Sequence, residues 1–339
     1  MRGEAPCPHR RQIKTKVAAA GEWIVSVHAG WRLPRDSMPM KKTPPPSPVP
    51  GDWMAGYPSL HWSRETGWSS VPESLAVEAP LAIEIAYGRL GQDVRKVLAV
   101  TMRTPGNDEE LALGFLFAEG LISGLEDVVA SRAAEENSRG ETIATQAIQL
   151  RHPPREDLQR VSRGLITSSA CGMCGRTTLQ GLSFAPPLRP TEGTLLSAEA
   201  IAALPDLLRP GQAAFTATGG SHGAGLFDAG GHLIFVREDV GRHNAVDKVI
   251  GAALRAKIVL AGKILVLSGR VSFELMQKAA VAGMAVVVAV GAPSSLAVNL
   301  AQTAGITLIG FTRGPRFNVY THAGRLDPVR PGERPAPPA

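Results

Sequence analysis

The sequence predicts an α/β fold: a core sheet covered by helices, preceded by a smaller β-rich subdomain. In the second half of the chain, apolar stretches at 264–267, 285–290 and 307–311 alternate with helical patterns at 273–282 and 296–304. Continuous apolar strands separated by helices are typical of a parallel sheet that is buried on both faces. Apolar residues make up 44% of the chain and aromatic residues 5%, so we expect an aliphatic core.

The β-rich subdomain is predicted over 71–165 and the α/β core over 166–325. Strand patterns at 81–87 and 94–102 flank a glycine turn, which predicts a hairpin. Asn107 with Glu110 three residues later has capping-box spacing, so a helix is expected to begin there and to end near Gly120. Short strands at 127–130 and 142–150 and a short helix at 155–163 are expected to follow.

Both ends of the chain lack a hydrophobic period. Residues 1–70 include a proline-rich run at 43–50, and residues 326–339 form a second proline-rich stretch. The first is predicted to be a disordered leader or the product of a misplaced start, with Met54 as one candidate start. Residues 1–50 hold nine Lys and Arg against three Asp and Glu, whereas charges are balanced over 51–339.

Composition argues against several classes of protein. The basic excess belongs to the leader, so we expect no nucleic-acid partner. No apolar run approaches the roughly 20 residues of a membrane span, so no membrane association is expected. Three cysteines do not make a disulfide framework, and a free thiol pair fits a reducing cytoplasm.

Two of those cysteines, Cys171 and Cys174, form a C-x-x-C motif in which Gly172 follows the first cysteine and Gly175 the second, which is typical of an exposed loop. Such a pair can carry sulfur on one thiol and resolve it with the other. Half a zinc site, a redox pair and two incidental cysteines stay open as alternatives. The deaminase zinc signature is absent, and distant histidines have no finger spacing, so no metal is expected.

Four polar stretches follow, and two of them come directly at strand ends before helices, where α/β folds bind anions. Plain loops, helix caps and surface ion pairs stay open as interpretations. The candidate ligand-binding residues are His222, Arg242, His243, Arg270, Phe311, Thr312, Arg313, Gly314, Pro315 and Arg316.

Several of these motifs, taken in order, resemble the formate dehydrogenase accessory sulfurtransferases, the FdhD family. The resemblance runs from about residue 77 to 322 and rests on segments 101–106, 115–120, 171–175, 218–222, 237–248 and 268–274. The leader departs from the family pattern.

The resemblance implies a cytoplasmic, homodimeric sulfur carrier with a cytidine-deaminase-like core that lacks zinc chemistry. Cys171, with Cys174 as its partner, would accept persulfide sulfur from a cysteine desulfurase. The sulfur would pass to the molybdenum bis(molybdopterin guanine dinucleotide) cofactor before its insertion into formate dehydrogenase. That cofactor would be a bound substrate, with no permanent cofactor. Arg313 and Arg316 are expected to contact guanine nucleotide, and Phe311 to pack against a base or the pocket wall.

Two other classes stay open. A thiol-disulfide oxidoreductase would use the same cysteines to exchange electrons, and a cofactor-binding chaperone would need no sulfur chemistry.

Overall fold

The computed structural model describes residues 53–88, 94–154 and 196–327, which all lie within one compact unit, Pro46–Ala339. The strands are β1 Met54–Ser63, β2 Gly67–Ala76, β3 Ala79–Tyr87, β4 Val94–Arg103, β5 Val128–Glu136, β6 Thr142–Leu150, β7 His222–Phe227, β8 Leu233–Asp239, β9 Ile264–Leu267, β10 Val286–Ala289, β11 Thr307–Arg313 and β12 Arg316–Val319. The helices are α1 Asp108–Ala118, α2 Ala198–Leu208, α3 Ala213–Thr218, α4 Arg242–Arg255, α5 Phe273–Val281 and α6 Ser295–Ala304.

The main sheet has six strands in the order β12-β11-β10-β9-β7-β8. Its centre is parallel, with β9, β10 and β11 joined through α5 and α6, and the four residues of β9 and of β10 are all buried. The expectation of a parallel core is therefore correct for these three strands. It is wrong for the edges, because β7 and β12 each run antiparallel to their central neighbour and β8 runs antiparallel to β7. The whole is a mixed α/β sheet.

A second sheet has the order β4-β3-β6-β5 and lies within the predicted β-rich segment 71–165. The hairpin of β3 and β4 is antiparallel, as its alternating pattern predicted, and β6 joins the other side of β3 in parallel. Leu113 and Leu116 of α1 pack against Ile83 and Ile148 of this sheet. The domain boundaries themselves stay predictions.

The stretch 54–70 corrects one expectation. It was predicted to belong to a disordered leader, yet β1 and most of β2 lie in it and pair in antiparallel register from Met54–Ala76 to Ser63–Gly67. Nearly all of its side chains are exposed or half-buried on both faces, so it shows no hydrophobic period. Residues 1–52 and 328–339, the predicted helix 155–163 and the cysteine motif lie outside the described residues.

Helices α1 and α4 cross at two glycines and join the second sheet to the main sheet. A β-carbon on Gly114 would overlap the carbonyl group of Asp247, and one on Gly251 would overlap that of Glu110. Backbones can approach this closely only where side-chain bulk is missing. The crossing therefore depends on glycine at both positions.

The predicted capping box at the start of α1 is wrong. Asn107 has a left-handed backbone (φ 57°) and makes no side-chain cap. Glu110 is buried, and its carboxylate instead accepts hydrogen bonds from the guanidinium of Arg237 on β8, one of them 2.8 Å long. The acidic side chain ties the helix to the main sheet rather than to its own N-terminus.

Candidate functional site

The cysteine pair Cys171 and Cys174 lies outside the described residues, so the site is built here from the polar stretches. The carboxyl ends of β9, β10 and β11 meet at one edge of the main sheet, and the start of antiparallel β7 lies at the same edge. Carboxyl ends of parallel strands are where open α/β sheets bind ligands.

A cavity of about 630 Å³ opens at this edge. Its lining residues within the described part of the chain are Ala202, Pro205, Asp206, Leu208, Arg209, Gln212, Phe215, Gly219, Gly220, Ser221, His222, Ser268, Val290, Thr312, Arg313 and Gly314. Four of the predicted site residues, His222, Thr312, Arg313 and Gly314, are thereby brought together. A volume of this order is typical of small-molecule sites.

His222 is the first residue of β7, because α3 ends at Thr218 and Gly219 turns the chain with a positive φ of 66°. The sequence predicted a small-residue loop here. The ring lies close to Gly269, where a β-carbon would come 3.3 Å from Nδ1. Gly223 donates its backbone N–H to Ser268 Oγ at 2.8 Å, which fixes the strand start on the end of β9.

The electrostatic surroundings of His222 are cationic. Burial lowers its pKa first, and the positive charges of Arg242, Arg270 and His243 lower it further, against an opposing contribution from Asp239. The positive charges of these neighbours raise the free-energy cost of a further positive charge on His222. The same surroundings favour the binding of an anion. The sequence-predicted residues His222, Arg242, His243 and Arg270 therefore share one electrostatic environment.

The N-terminus of α4 supplies two of these residues. Its N-cap is Gly241, which has no side chain to cap the helix. The Nε atom of Arg242 is buried without a hydrogen-bond partner in the described part of the chain. An unpaired buried donor beside a helix N-terminus is suited to an anionic ligand.

His243 lies against the start of α5. Its Nε2 is 3.2 Å from Ser272 Oγ and 3.7 Å from a carboxylate oxygen of Glu274. The interaction with His243 is the main cause that lowers the pKa of Glu274 to about 2. Ser272 lies at the N-cap position of α5, but its side chain forms no cap hydrogen bond. The contacts with Ser272 and Glu274 fix the position of the His243 ring, whose charge acts on His222.

The segment 311–316 is part of the main sheet and its last hairpin turn. Phe311 to Arg313 belong to β11, Gly314 and Pro315 form the turn, and Arg316 begins β12. Phe311 has a left-handed φ of 54° and is 46% exposed.

Arg313 borders two concavities. One is the main cavity; the other is a depression of about 390 Å³ lined by Phe311, Arg313, Arg316, Phe317 and Asn318. Phe311 and Arg316 therefore lie apart from the residues around His222, and Arg313 is the link between the two groups.

Thr312 lies between them and is buried, with 1% of its surface exposed. It lines the main cavity, and its Oγ1 has no hydrogen-bond partner within the described residues. Because a buried hydroxyl without a partner is costly, a ligand group that reached it would gain a hydrogen bond.

One wall of the cavity consists of residues that no sequence motif predicted. Asp206 and Arg209 come from α2 and the turn after it, Gln212 from the next turn, and Phe215 from α3. The Arg209 guanidinium lies over the Phe215 ring, 4.9 Å from its centroid. The Arg-Pro-Gly-Gln sequence after α2 marked a helix end but gave no sign of a binding role.

Part of the charged segment 237–248 is structural. Asp239 and Lys248 form a fully buried ion pair, and Arg237 is bound by Glu110. Of its charged residues, the two that remain for a ligand are Arg242 and His243. This split separates the residues that hold the fold from those whose charges act on His222.

Within the described ranges, no group of three or more His, Cys, Asp or Glu side chains is placed to hold a metal ion. None of the helices in those ranges is long and apolar enough to cross a bilayer.

Fold and cavity together define a mixed α/β protein with a cationic, anion-suited cavity at the carboxyl edge of its main sheet. Comparison with known proteins specifies the class further. The family described as FdhD/NarQ matches residues 76–327. The chain therefore belongs to the FdhD/NarQ family.

Several curated relatives are named Sulfur carrier protein FdhD. The one from Nocardia farcinica is 48% identical over 269 residues, which cover 78% of this chain and 92% of the relative. That from Mycobacterium tuberculosis is 47% identical, with 75% and 92% covered. That from Anaeromyxobacter dehalogenans is 46% identical, with 76% and 90% covered.

A solved structure is also similar. A crystal structure described as that of a formate dehydrogenase accessory protein from Desulfotalea psychrophila superposes with a TM-score of 0.62. It is 25% identical, and the match covers 81% of this chain and all of the other.

Proposed function

We propose that this chain is a sulfur carrier for the maturation of formate dehydrogenase. The observation that carries the proposal is the match, over about nine-tenths of their length, to relatives named sulfur carrier proteins. The chain keeps the two thiols that sulfur transfer needs, Cys171 and Cys174. The match to a structure described as a formate dehydrogenase accessory protein supports the recipient enzyme.

In this proposal the sulfur arrives as a persulfide. The Cys171 thiolate attacks the terminal sulfur of a persulfide on a cysteine desulfurase. The sulfur–sulfur bond of the donor breaks, a new bond to Cys171 Sγ forms, and the donor cysteine leaves as a thiolate. No electrons are gained or lost overall, so this step needs no oxidant.

Release of the sulfur uses the second cysteine. The Cys174 thiolate attacks Cys171 Sγ, which forms a disulfide between the two residues and frees the terminal sulfur as sulfide. The two thiols supply both electrons of that reduction, and a dithiol reductant of the cell resets the pair. The sulfide would then replace an oxygen ligand of the molybdenum in the bound cofactor substrate, and that oxygen would leave as hydroxide.

The cavity is the proposed binding site for one nucleotide arm of the molybdenum bis(molybdopterin guanine dinucleotide) substrate. Arg313 and His222 line the cavity, and the positive charges of Arg242, Arg270 and His243 act on His222. These basic groups suit the phosphates of that arm, because charge-assisted hydrogen bonds to phosphate are strong. Thr312 Oγ1, which has no hydrogen-bond partner among the described residues, offers a further contact.

The same proposal includes a cytoplasmic location, a homodimer and a cytidine-deaminase-like core. The mixed sheet with helices packed against it supports such a core, and the free thiol pair supports a reducing compartment.

Maturation of formate dehydrogenase in cells tests the function. A strain that lacks its own carrier should regain formate dehydrogenase activity with the wild-type chain and with Cys7→Ala, but not with Cys171→Ala. Cys7 is the matched control because it is the third cysteine and lies in the leader. Full activity with Cys171→Ala would exclude persulfide transfer through that residue and leave a cofactor-binding role.

A further inference from the structure

The lining of the main cavity includes one carboxylate. Among the described residues that border it, Asp206 is the acidic side chain, and Arg209, His222 and Arg313 are the basic ones. A carboxylate in this cavity repels phosphate. It favours binding only where the ligand also carries hydrogen-bond donors that the carboxylate can accept.

Asp206 belongs to the part of the lining that α2 and α3 contribute. The same part of the lining holds Arg209, whose guanidinium lies over the Phe215 ring, and this pair offers a flat surface for a purine ring. His222, Thr312 and Arg313 come instead from the strand ends of the main sheet. The cavity thus has a helix side with a carboxylate and a flat stack, and a sheet side with phosphate-suited groups.

A guanine base fits the helix side. Its N1–H and exocyclic N2–H₂ are two adjacent donors, and an ionised carboxylate is an acceptor with two oxygens at matching spacing. Adenine presents an unprotonated N1 at the equivalent position, so its lone pair would face the negative charge. A carboxylate therefore accepts guanine and rejects adenine.

We propose that Asp206 is the residue that selects guanine, by accepting hydrogen bonds from N1–H and N2–H₂ of a base stacked beside Arg209 and Phe215. This inference rests on the proposed function, because it places the base and the diphosphate of the proposed nucleotide at opposite sides of the same cavity. The diphosphate then extends toward Thr312 and Arg313. The depression around Phe311 lies on the other side of Arg313 and is left for other parts of the cofactor.

The assignment is tested by combining a substitution of Asp206 with a change of the nucleotide's base. Asp206→Asn replaces one acceptor by an amide donor, which suits xanthine, whose O2 is an acceptor where guanine carries N2–H₂. Calorimetry with GDP, xanthosine diphosphate and ADP should show that the wild type prefers GDP. In Asp206→Asn, GDP binding should weaken by about tenfold or more and xanthosine diphosphate should become the tighter ligand.

Two further variants control the result. Glu199→Gln changes an exposed carboxylate on the same helix that does not border the cavity, so both affinities should stay unchanged. Phe215→Leu should weaken GDP and xanthosine diphosphate equally, because stacking does not distinguish them. Asp206 is exposed, so its substitution should leave the melting temperature unchanged.

The assignment is overturned if Asp206→Asn binds both nucleotides as the wild type does, or weakens both equally. It is also overturned if the wild type binds no GDP, or if Phe311→Leu rather than Phe215→Leu weakens GDP binding. Persulfide loading of Cys171 is measured separately on the same variants. Loading that persists while base selection fails would remove the guanine assignment and leave the sulfur-carrier proposal intact.

Discussion

Asp239 and Lys248 lie 2.8 Å apart as an ion pair whose side chains are 0% and 1% exposed. Asp239 also accepts hydrogen bonds from the backbone of Thr104 and Gly241 and from the side chain of Asn244. The pair therefore holds the start of α4 against the segment that leads into α1. It positions Arg242 and His243 without facing a ligand itself.

Loss of the cation should be severe. Lys248→Met leaves the Asp239 carboxylate buried and uncompensated, so the free energy of unfolding should fall by about 3–5 kcal/mol. Burial already raises the pKa of Asp239, and removal of Lys248 raises it further. A carboxyl group whose pKa is raised in the folded state stabilises the protein at low pH, and this stabilisation is lost as the pH rises. The loss of unfolding free energy in Lys248→Met should therefore be smaller at pH 5 than at pH 8. Urea unfolding of the variant at both pH values measures this.

Lys257→Met is the control for that prediction, since Lys257 is exposed just after the same helix. A loss below about 1 kcal/mol in Lys248→Met would show that the pair does not hold α4.

The glycine crossing of α1 and α4 makes a second prediction. Gly114→Ala places a methyl group in the carbonyl group of Asp247, so the helices must separate and stability should fall by about 3 kcal/mol or more. Gly56→Ala is the matched control, because its added methyl group meets nothing and its φ is not positive. The melting temperatures of both variants test this prediction. Equal values would contradict the claim that the packing of α1 against α4 requires glycine at position 114.

Local patterns in the sequence were sufficient for most elements of the core. Apolar runs and helix signals placed β9, α5, β10, α6 and β11 within a few residues of their observed ends. They did not place β12, because Arg316–Val319 is four residues long and directly follows a glycine-proline turn. Nor did they place β1 and β2, whose exposure on both faces removes the alternation that marks a strand.

Some residues of the candidate site also have a local sequence signal, whereas others are brought to it only by the packing of distant elements. The positions of His222, Thr312, Arg313 and Gly314 beside strand ends are a local signal, and the structure places these four residues in the cavity lining; their role in binding stays a prediction. Glu110 was misread as a cap because its partner, Arg237, is 127 residues away in the chain. Asp206 and Phe215 could not be found from sequence, since only the packing of α2 and α3 beside the strand ends brings them to the cavity.

A third prediction uses the pKa of His222. Since Arg270 is one of the charges that lower it, Arg270→Gln should raise the His222 pKa, and bound GDP should raise it too by bringing negative charge. Histidine ring signals followed by NMR across pH 5 to 8 give the value in each state. Arg255→Gln at the far end of α4 should leave it unchanged, and an unshifted pKa with saturating GDP would place the phosphates elsewhere.

A fourth prediction concerns the two arginines of the turn between β11 and β12. Replacement of both Arg313 and Arg316 by alanine should weaken GDP binding by about tenfold or more and leave sulfur loading of Cys171 unchanged. Both side chains are exposed, so the fold should persist. Arg132→Ala, on exposed β5, controls for loss of surface charge. Unchanged GDP affinity in calorimetry would move the nucleotide away from this turn.

The central claim is that Cys171 carries sulfur, and intact-protein mass spectrometry tests it most directly. The chain is incubated with a cysteine desulfurase and cysteine, then digested so that the modified residue is located. The account predicts the added mass of one sulfur atom on Cys171 in the wild type and in Cys7→Ala, and none in Cys171→Ala. In Cys174→Ala, which cannot release the sulfur by forming the disulfide, the account likewise predicts added sulfur on Cys171. No added sulfur on Cys171 in that variant, with loss of two hydrogens across Cys171 and Cys174 in the wild type, would contradict it and indicate a thiol-disulfide oxidoreductase instead.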